Sequence, residues 1–245
     1  HRAGPDDAAG APDHVGIARG GIGADVQDHV VGADVGHGLH RGRRIGGEQA
    51  RATSLVRYAP GSVFPTHAHP DGEEILVLDG VFSDDTGEHG PGTSLRTPDG
   101  SRHAPRSEAG CTLFVKLRQF APGDDASASI DTAHGDWRPG LVPGLRVMPL
   151  HSFGTEHTAL VDWAPGTVFQ PHTHFGGEEI LVLRGVFEDE HGAYPAGSWL
   201  RSPHLSRHAP FTREGARILV KVGHLDEERL RAWGEGGGPR PDARQ

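Results

Sequence analysis

Along most of the chain, apolar residues come in short runs rather than in a helical rhythm. Residues 53–58, 75–78, 81–82 and 113–117 are such runs, and Pro-Gly, Asp-Gly and Thr-Gly pairs separate them. That spacing predicts short antiparallel strands joined by tight turns, arranged as a sandwich or barrel. No stretch in these regions sustains a 3.6-residue period with helix caps, so the predicted class is all-β. Only 226–233 reads as a short helix, with acidic residues in its first turn and Gly234 after it, ahead of a glycine-rich tail expected to be disordered. Residues 1–44 are rich in Gly, Asp, Ala and Arg and hold no strand-length apolar run. They read as a leader, either disordered or outside the native reading frame, and the chain's start at His1 rather than Met suits a fragment or a processed form.

The runs occur twice. Residues 53–117 align without a gap on 158–222, so that Glu73-Glu74-Ile75-Leu76-Val77-Leu78 returns as Glu178-Glu179-Ile180-Leu181-Val182-Leu183. Ser101-Arg102-His103-Ala104-Pro105 likewise returns as Ser206-Arg207-His208-Ala209-Pro210. A repeat of this length exceeds a solenoid unit and fits two complete small domains. The expected division is an N-terminal domain at 45–122, a linker at 123–136, a C-terminal domain at 137–225, and the helix and tail at 226–245.

Each copy carries the same constellation of metal-binding side chains. Gly61 is followed after five residues by His67, then His69, then after three residues Glu73, and after six more Gly80. The second copy repeats the spacing with Gly166, His172, His174, Glu178 and Gly185. Residues i and i+2 of a strand project from one face, so each His pair can offer two imidazoles to one ion. The turn residues Pro70-Asp71-Gly72 and Phe175-Gly176-Gly177 fold the chain back and bring the carboxylate of Glu73 or Glu178 towards the pair. His103 and His208 can close the sets from a third strand. Glu74 and Glu179 are rival carboxylates, but strand alternation puts Glu73 with Ile75 and Val77 on one face and Glu74 on the other. Imidazole and carboxylate suit zinc, iron, manganese, nickel or copper. Other histidines, such as His14, His29, His37, His40 and His134, read as ordinary surface residues.

Charge and cysteine content narrow the function further. A formal net charge of -9 without a basic cluster offers nothing to a phosphate backbone or an anionic membrane, so neither nucleic acid nor membrane is an expected partner. The single Cys111 excludes an internal disulfide and every zinc module built on paired cysteines. No run approaches the roughly 20 apolar residues of a membrane span, and a cytoplasmic location is expected. The acid pairs Asp84-Asp85 and Glu188-Asp189-Glu190 read as solvated turn residues rather than a calcium site. Arg96 with Arg201, and Lys116 with Lys221, read as outer-face charges at sheet edges or as inward groups for a carboxylate substrate. Arg102 and Arg207 are candidates to support the last histidine ligands. Where the aromatic residues match between copies they read as barrel core or packing between domains, whereas the contrast of Ser94 with Trp199 makes the two halves inequivalent. No nucleophile or dinucleotide motif competes with the histidine sets.

This spacing resembles the first cupin motif, and Gly92, Pro98, Gly100 and His103 match the second. The phrasing Gly-Glu-Glu-Ile-Leu-Val-Leu is similar to the ChrR-like cupin family in particular, over about 45–225. The resemblance implies two double-stranded β-helix (jelly-roll) barrels in tandem, each with one divalent transition metal inside, zinc or iron foremost and manganese or nickel as alternatives. Leu205 replaces a motif glycine, and Ser107 and Thr212 replace the motif's final asparagine. ChrR-type anti-sigma factors also carry a cysteine-containing N-terminal zinc module, which this chain lacks, so sigma-factor capture is not expected. Four ligands close a zinc tetrahedron but leave two octahedral positions open. The expected function is therefore sensing or binding of a small molecule. The alternative implied by relatives is an Fe(II) dioxygenase acting on a chelating carbonyl compound such as a β-diketone, and a structural, storage-type bicupin is a third reading. Catalytic residues are not assigned, and a homodimer is left open.

Overall fold

The computed structural model describes residues 39–45 and 51–225, and among them every regular element is a strand. The expected helix and tail at 226–245, and residues 1–38, lie outside the described residues. Among the described residues no helix is long and apolar enough to cross a membrane.

In the first barrel the main sheet runs in the order 39–45, 51–58, 111–117, 73–80, 93–97 and 128–131, all neighbours antiparallel. A four-stranded sheet of short strands, from Ser62–Val63 to Gly87–His89, forms the opposing wall. The second barrel repeats this plan around Leu145–Phe153, Glu156–Trp163, Ala216–Val222 and Glu178–Asp189. Two jelly rolls in tandem are thus the architecture.

The strand Glu73–Gly80 carries the unbroken apolar run 75–78 because both of its faces are covered there. Ile75 and Val77 pack inside the first barrel with Val56, Phe82 and Leu113, while Leu76 joins Phe114, Leu150, Leu160, Leu181 and Leu219 between the barrels. The second barrel has its own core around Ile180, Val182, Phe187 and Ile218. Each main sheet therefore lines a lumen with one face and the other barrel with its back.

Two segments differ from the expected boundaries. Leu39–Ile45, of which all but the last residue was assigned to the leader, pairs along its whole length with Arg51–Tyr58, as Leu145–Phe153 pairs with Glu156–Trp163 in the second barrel. Ladder hydrogen bonds are made by the backbone, so this strand forms without the apolar alternation that would have shown it in the sequence. Within the expected linker, Ala128–Asp131 is hydrogen-bonded to Thr93–Thr97 and extends the first barrel's sheet.

The charges read as sheet-edge guards are instead buried between the barrels. Lys116 of the first barrel pairs with Glu179 of the second, and Lys221 of the second reaches Glu74 of the first at 3.0 Å. The two bonds are reciprocal, as a duplicated chain folded about an internal two-fold requires. Glu179 Oε2 also lies 3.1 Å from His224 Nε2, and its other oxygen accepts from Trp199 Nε1 at 2.8 Å. Arg96 binds Glu74 and Asp124. Trp199 packs edge-on against Phe114, with ring centroids 5.8 Å apart. Its counterpart Ser94 is too small to do the same and leaves a cavity of about 30 Å³ beside Leu150, Leu219 and Ile130. That is room for about one or two waters.

The motif glycines Gly80 and Gly185 sit at positive φ, 72° and 71°, just after each main strand bulges at Leu78 or Leu183. A Cβ on Gly185 would overlap the carbonyl oxygen of Gly215, just before the neighbouring strand. Gly185→Ala is therefore expected to lower stability by about 2–4 kcal/mol in a urea titration. A change below about 0.5 kcal/mol, the range of ordinary surface substitutions, would remove this steric argument.

Candidate metal centres

Each candidate centre is assembled from three parts of the chain. In the second barrel, His172 lies in the short strand His172–Thr173, which pairs with Arg207–His208 and sets His172 directly opposite His208. The turn at Gly176-Gly177, both at positive φ, reverses the chain after His174 and delivers Glu178 as the first residue of the long central strand. Glycine is needed at Gly176 because a side chain there would run into the Gly223 backbone. The first barrel is built alike, with His67 opposite His103 and Glu73 opening the strand after the turn.

The ligand atoms of His172, His174, Glu178 and His208 all lie within 4.8 Å of one another. In the first barrel the same closeness holds for His67, His69 and His103. Glu73 falls outside that mutual limit, although its Oε2 is 3.5 Å from Nε2 of both His69 and His103. The structure thus brings together all four predicted residues in the second copy, and in the first copy three with the fourth alongside two of them. The rival Glu74 and Glu179 point to the barrel interface, as strand alternation requires.

The donor set is arranged for a cation. Glu73 Oε2, Glu178 Oε2, His174 Nε2 and His208 Nε2 are buried and have no hydrogen-bond partner in the protein. Buried polar atoms are seldom left so. His69 Nε2 and His103 Nε2 approach to 3.0 Å, bringing ring nitrogen against ring nitrogen. The far nitrogens are held elsewhere: His67 Nδ1 lies 2.9 Å from the Pro65 carbonyl and His172 Nδ1 3.1 Å from that of Gln170. A carbonyl only accepts, so in both rings Nδ1 carries the hydrogen and Nε2 is left as the metal-facing lone pair.

Burial favours the neutral rings that ligation needs. His69 and His174 are both pulled down to about 4, first by desolvation and then by the neighbouring imidazoles. Burial also lowers His103 and His172. At His208 desolvation works in the same sense, but Asp189 and Glu178 outweigh it and raise the ring. Desolvation pushes Glu73 up to about 8, with Asp84 adding to it, and Glu178 up to about 7. A divalent ion would supply the charge that these buried carboxylates lack.

Of the acids expected to be solvated, Asp85 and Glu190 are exposed, but the other three are not. Asp84 and Asp189 are buried, as is Glu188. Asp84 Oδ2 lies 3.4 Å from His103 Nδ1, and Asp189 Oδ2 lies 3.3 Å from His208 Nδ1. Desolvation opposes ionisation of both, yet hydrogen bonds from Thr86 to Asp84, and from His208 and the His191 amide to Asp189, lower both carboxyls overall. The only signal for them in the sequence was that an acid recurs at matched positions of the repeat. Arg102 and Arg207, by contrast, are exposed.

The departures from the cupin motif keep their geometry. Leu205 adopts φ 65° in the place of Gly100 at 80°. Ser107 Oγ and Thr212 Oγ1 donate to the carbonyls of Val81 and Val186 at 2.6 and 2.7 Å, tying two strands together.

Among curated protein sequences none matches this chain. Solved structures do. A candidate dioxygenase of Nostoc punctiforme aligns at a TM-score of 0.64 and 14% identity, over 76% of this chain and 74% of that one. A cupin 2 conserved barrel domain protein of Leptotrichia buccalis aligns at 0.55 and 12%, over 79% and 99%. The oxalate decarboxylase of Bacillus subtilis, with Mn(II) centres, aligns at 0.54 and 14%, over 83% and 81%. At such identities these likenesses show the barrel fold. The model of the ChrR Cupin-like domain matches twice, at residues 32–121 and 125–226, and the chain belongs to that family as two tandem copies of its domain.

Proposed function

We propose that the protein is a transition-metal-binding bicupin that takes up a small molecule at a three-histidine, one-glutamate centre in each barrel. The observation that carries this reading is the convergence of His172, His174, Glu178 and His208, with His174 Nε2, His208 Nε2 and Glu178 Oε2 buried and without a hydrogen-bond partner. His67, His69, His103 and Glu73 would hold the ion of the first barrel. Such an ion supplies a Lewis acid whose remaining coordination positions accept a chelating oxygen ligand. The protein's own part is to favour the neutral rings of His69, His103, His172 and His174 by burial, and in the second barrel to shield the centre with the aromatic layer of Phe169, Trp163 and Phe187. His67 and His172 are the ligands whose side chains are partly open in each set apart from His69, which gives a small molecule a way in.

Metal analysis of protein purified without added metal, combined with oxygen-electrode measurements, tests the reading. Two divalent transition ions per chain and no oxygen uptake with a β-diketone support binding or sensing. Iron, with a diketone-dependent spectral change and oxygen uptake, supports the dioxygenase alternative. Metal-free protein that takes up no Zn(II), Fe(II) or Mn(II) at micromolar concentrations removes both.

A further inference from the structure

The acidic loop behind each last histidine does more than close a turn. Resting on the metal reading above, we propose that Asp84 and Asp189 are positioning residues that fix the tautomer and ring plane of His103 and His208. Asp85 and Glu190 clamp the backbone beside those ligands.

The two oxygens of each aspartate have separate tasks. Asp189 Oδ1 accepts from the amides of His191 and Gly192 at 2.8 and 3.1 Å and from the Tyr194 hydroxyl at 3.1 Å. Oδ2 is left for His208 Nδ1 at 3.3 Å. In the first barrel Asp84 Oδ1 accepts from the Thr86 amide and hydroxyl at 2.8 and 2.5 Å, with His89 Nε2 at 3.3 Å, and Oδ2 faces His103 Nδ1 at 3.4 Å. The neighbouring acid then takes the next backbone amide: Ala104 donates to Asp85 Oδ2 at 3.2 Å and Ala209 to Glu190 Oε2 at 2.8 Å.

A turn needs only Oδ1. Oδ2 is superfluous to the turn, yet in both barrels it is aimed at the same ring nitrogen. The amide two residues on, Thr86 or His191, holds Oδ1 in both barrels, whereas the remaining donors differ, the Thr86 hydroxyl and His89 in one and Gly192 and Tyr194 in the other, and the result for the histidine is the same. With Nδ1–H directed at the carboxylate, Nε2 is the free lone pair and points towards Glu178 or Glu73.

Asparagine gives this idea a sharp test. Three donors hold Asp189 Oδ1, so the oxygen of an Asp189→Asn side chain must occupy that place and its NH2 must face His208. Nδ1 then has to accept, the ring proton moves to Nε2, and the metal-facing lone pair is lost. The near-isosteric change should be at least as harmful as Asp189→Ala, the reverse of what a packing role gives.

The measurements are competitive Zn(II) titration and two-bond ¹H–¹⁵N spectra of the metal-free chain. Asp189→Asn is expected to weaken the second site about 10–100-fold, leave the first unchanged and show His208 as the Nε2–H tautomer. Asp84→Asn should do the same to His103 and the first site, and serves if Asp189→Asn does not fold. Wild-type affinity in the Asn variants, a retained Nδ1–H tautomer, or an Ala variant weaker than Asn would overturn the proposal. His208→Ala is the reference: if that variant keeps both ions, it is the metal reading that fails.

Discussion

Glu179→Ala is expected to destabilise the protein by about 3–5 kcal/mol, the cost of leaving one member of a buried charge pair without its partner. Lys116 is 4% exposed in its side chain and Glu179 only 1%, so water cannot replace the lost carboxylate. The same substitution takes the acceptor from Trp199 Nε1 and from the Thr53 hydroxyl. A double variant, Lys116→Met with Glu179→Gln, removes both charges while keeping an acceptor for Trp199, and should recover most of the loss. Urea titration of the two variants decides the matter. A loss below about 1 kcal/mol for Glu179→Ala, as for a surface pair, would mean that the interface is hydrated in solution.

These pairs also set an acid limit. Desolvation alone would raise Glu74, but Lys221 and Arg96 hold it at about 2, and Lys116 with His224 likewise holds Glu179 well below the carboxylate value of 4.5. A depressed folded-state value contributes stability that is complete above pH 4.5 and is lost as pH falls towards 2. His224, pushed down to about 3 mainly by desolvation, acts in the same direction. It is neutral in the fold and protonates on unfolding below its ordinary value of 6.5.

His172→Ala should remove the ion of the second barrel and leave that of the first, and His67→Ala should do the converse. Each centre draws all its ligands from its own barrel, so the losses are independent. Both variants should fold, because His67 and His172 lie in two-residue strands outside the hydrophobic cores. At free metal about 1,000-fold above the dissociation constant, each lost site lowers stability by about 4 kcal/mol. The thermal midpoint should therefore fall in the presence of metal and match that of chelator-treated wild type for the affected barrel. Atomic absorption of the purified variants gives the stoichiometry, and an unchanged metal content in both would count against the proposed centres.

Three kinds of information were readable from the amino-acid order. The gapless duplication, the histidine and glutamate spacing, and the alternation that separates Glu73 from Glu74 all depend on neighbours in the chain. A strand's period of two or a glycine turn converts such separations directly into geometry. His172, His174 and Glu178 meet for that reason, whereas His208 is set opposite His172 by pairing with a distant strand.

What only the tertiary structure decided are the partners of polar groups that are distant in sequence. The Lys116 and Glu179 bond spans 63 residues and that of Lys221 and Glu74 spans 147, so no local pattern separates these lysines from edge charges. Asp84 and Asp189 read as turn acids because they are turn acids. Their burial behind His103 and His208 comes from the loop folding back across the barrel. Leu39–Ile45 became a strand because an open sheet edge offered it backbone partners, a force that acts on any side-chain order. Local order determined which residues face the lumen, and long-range packing determined which charges could survive without water.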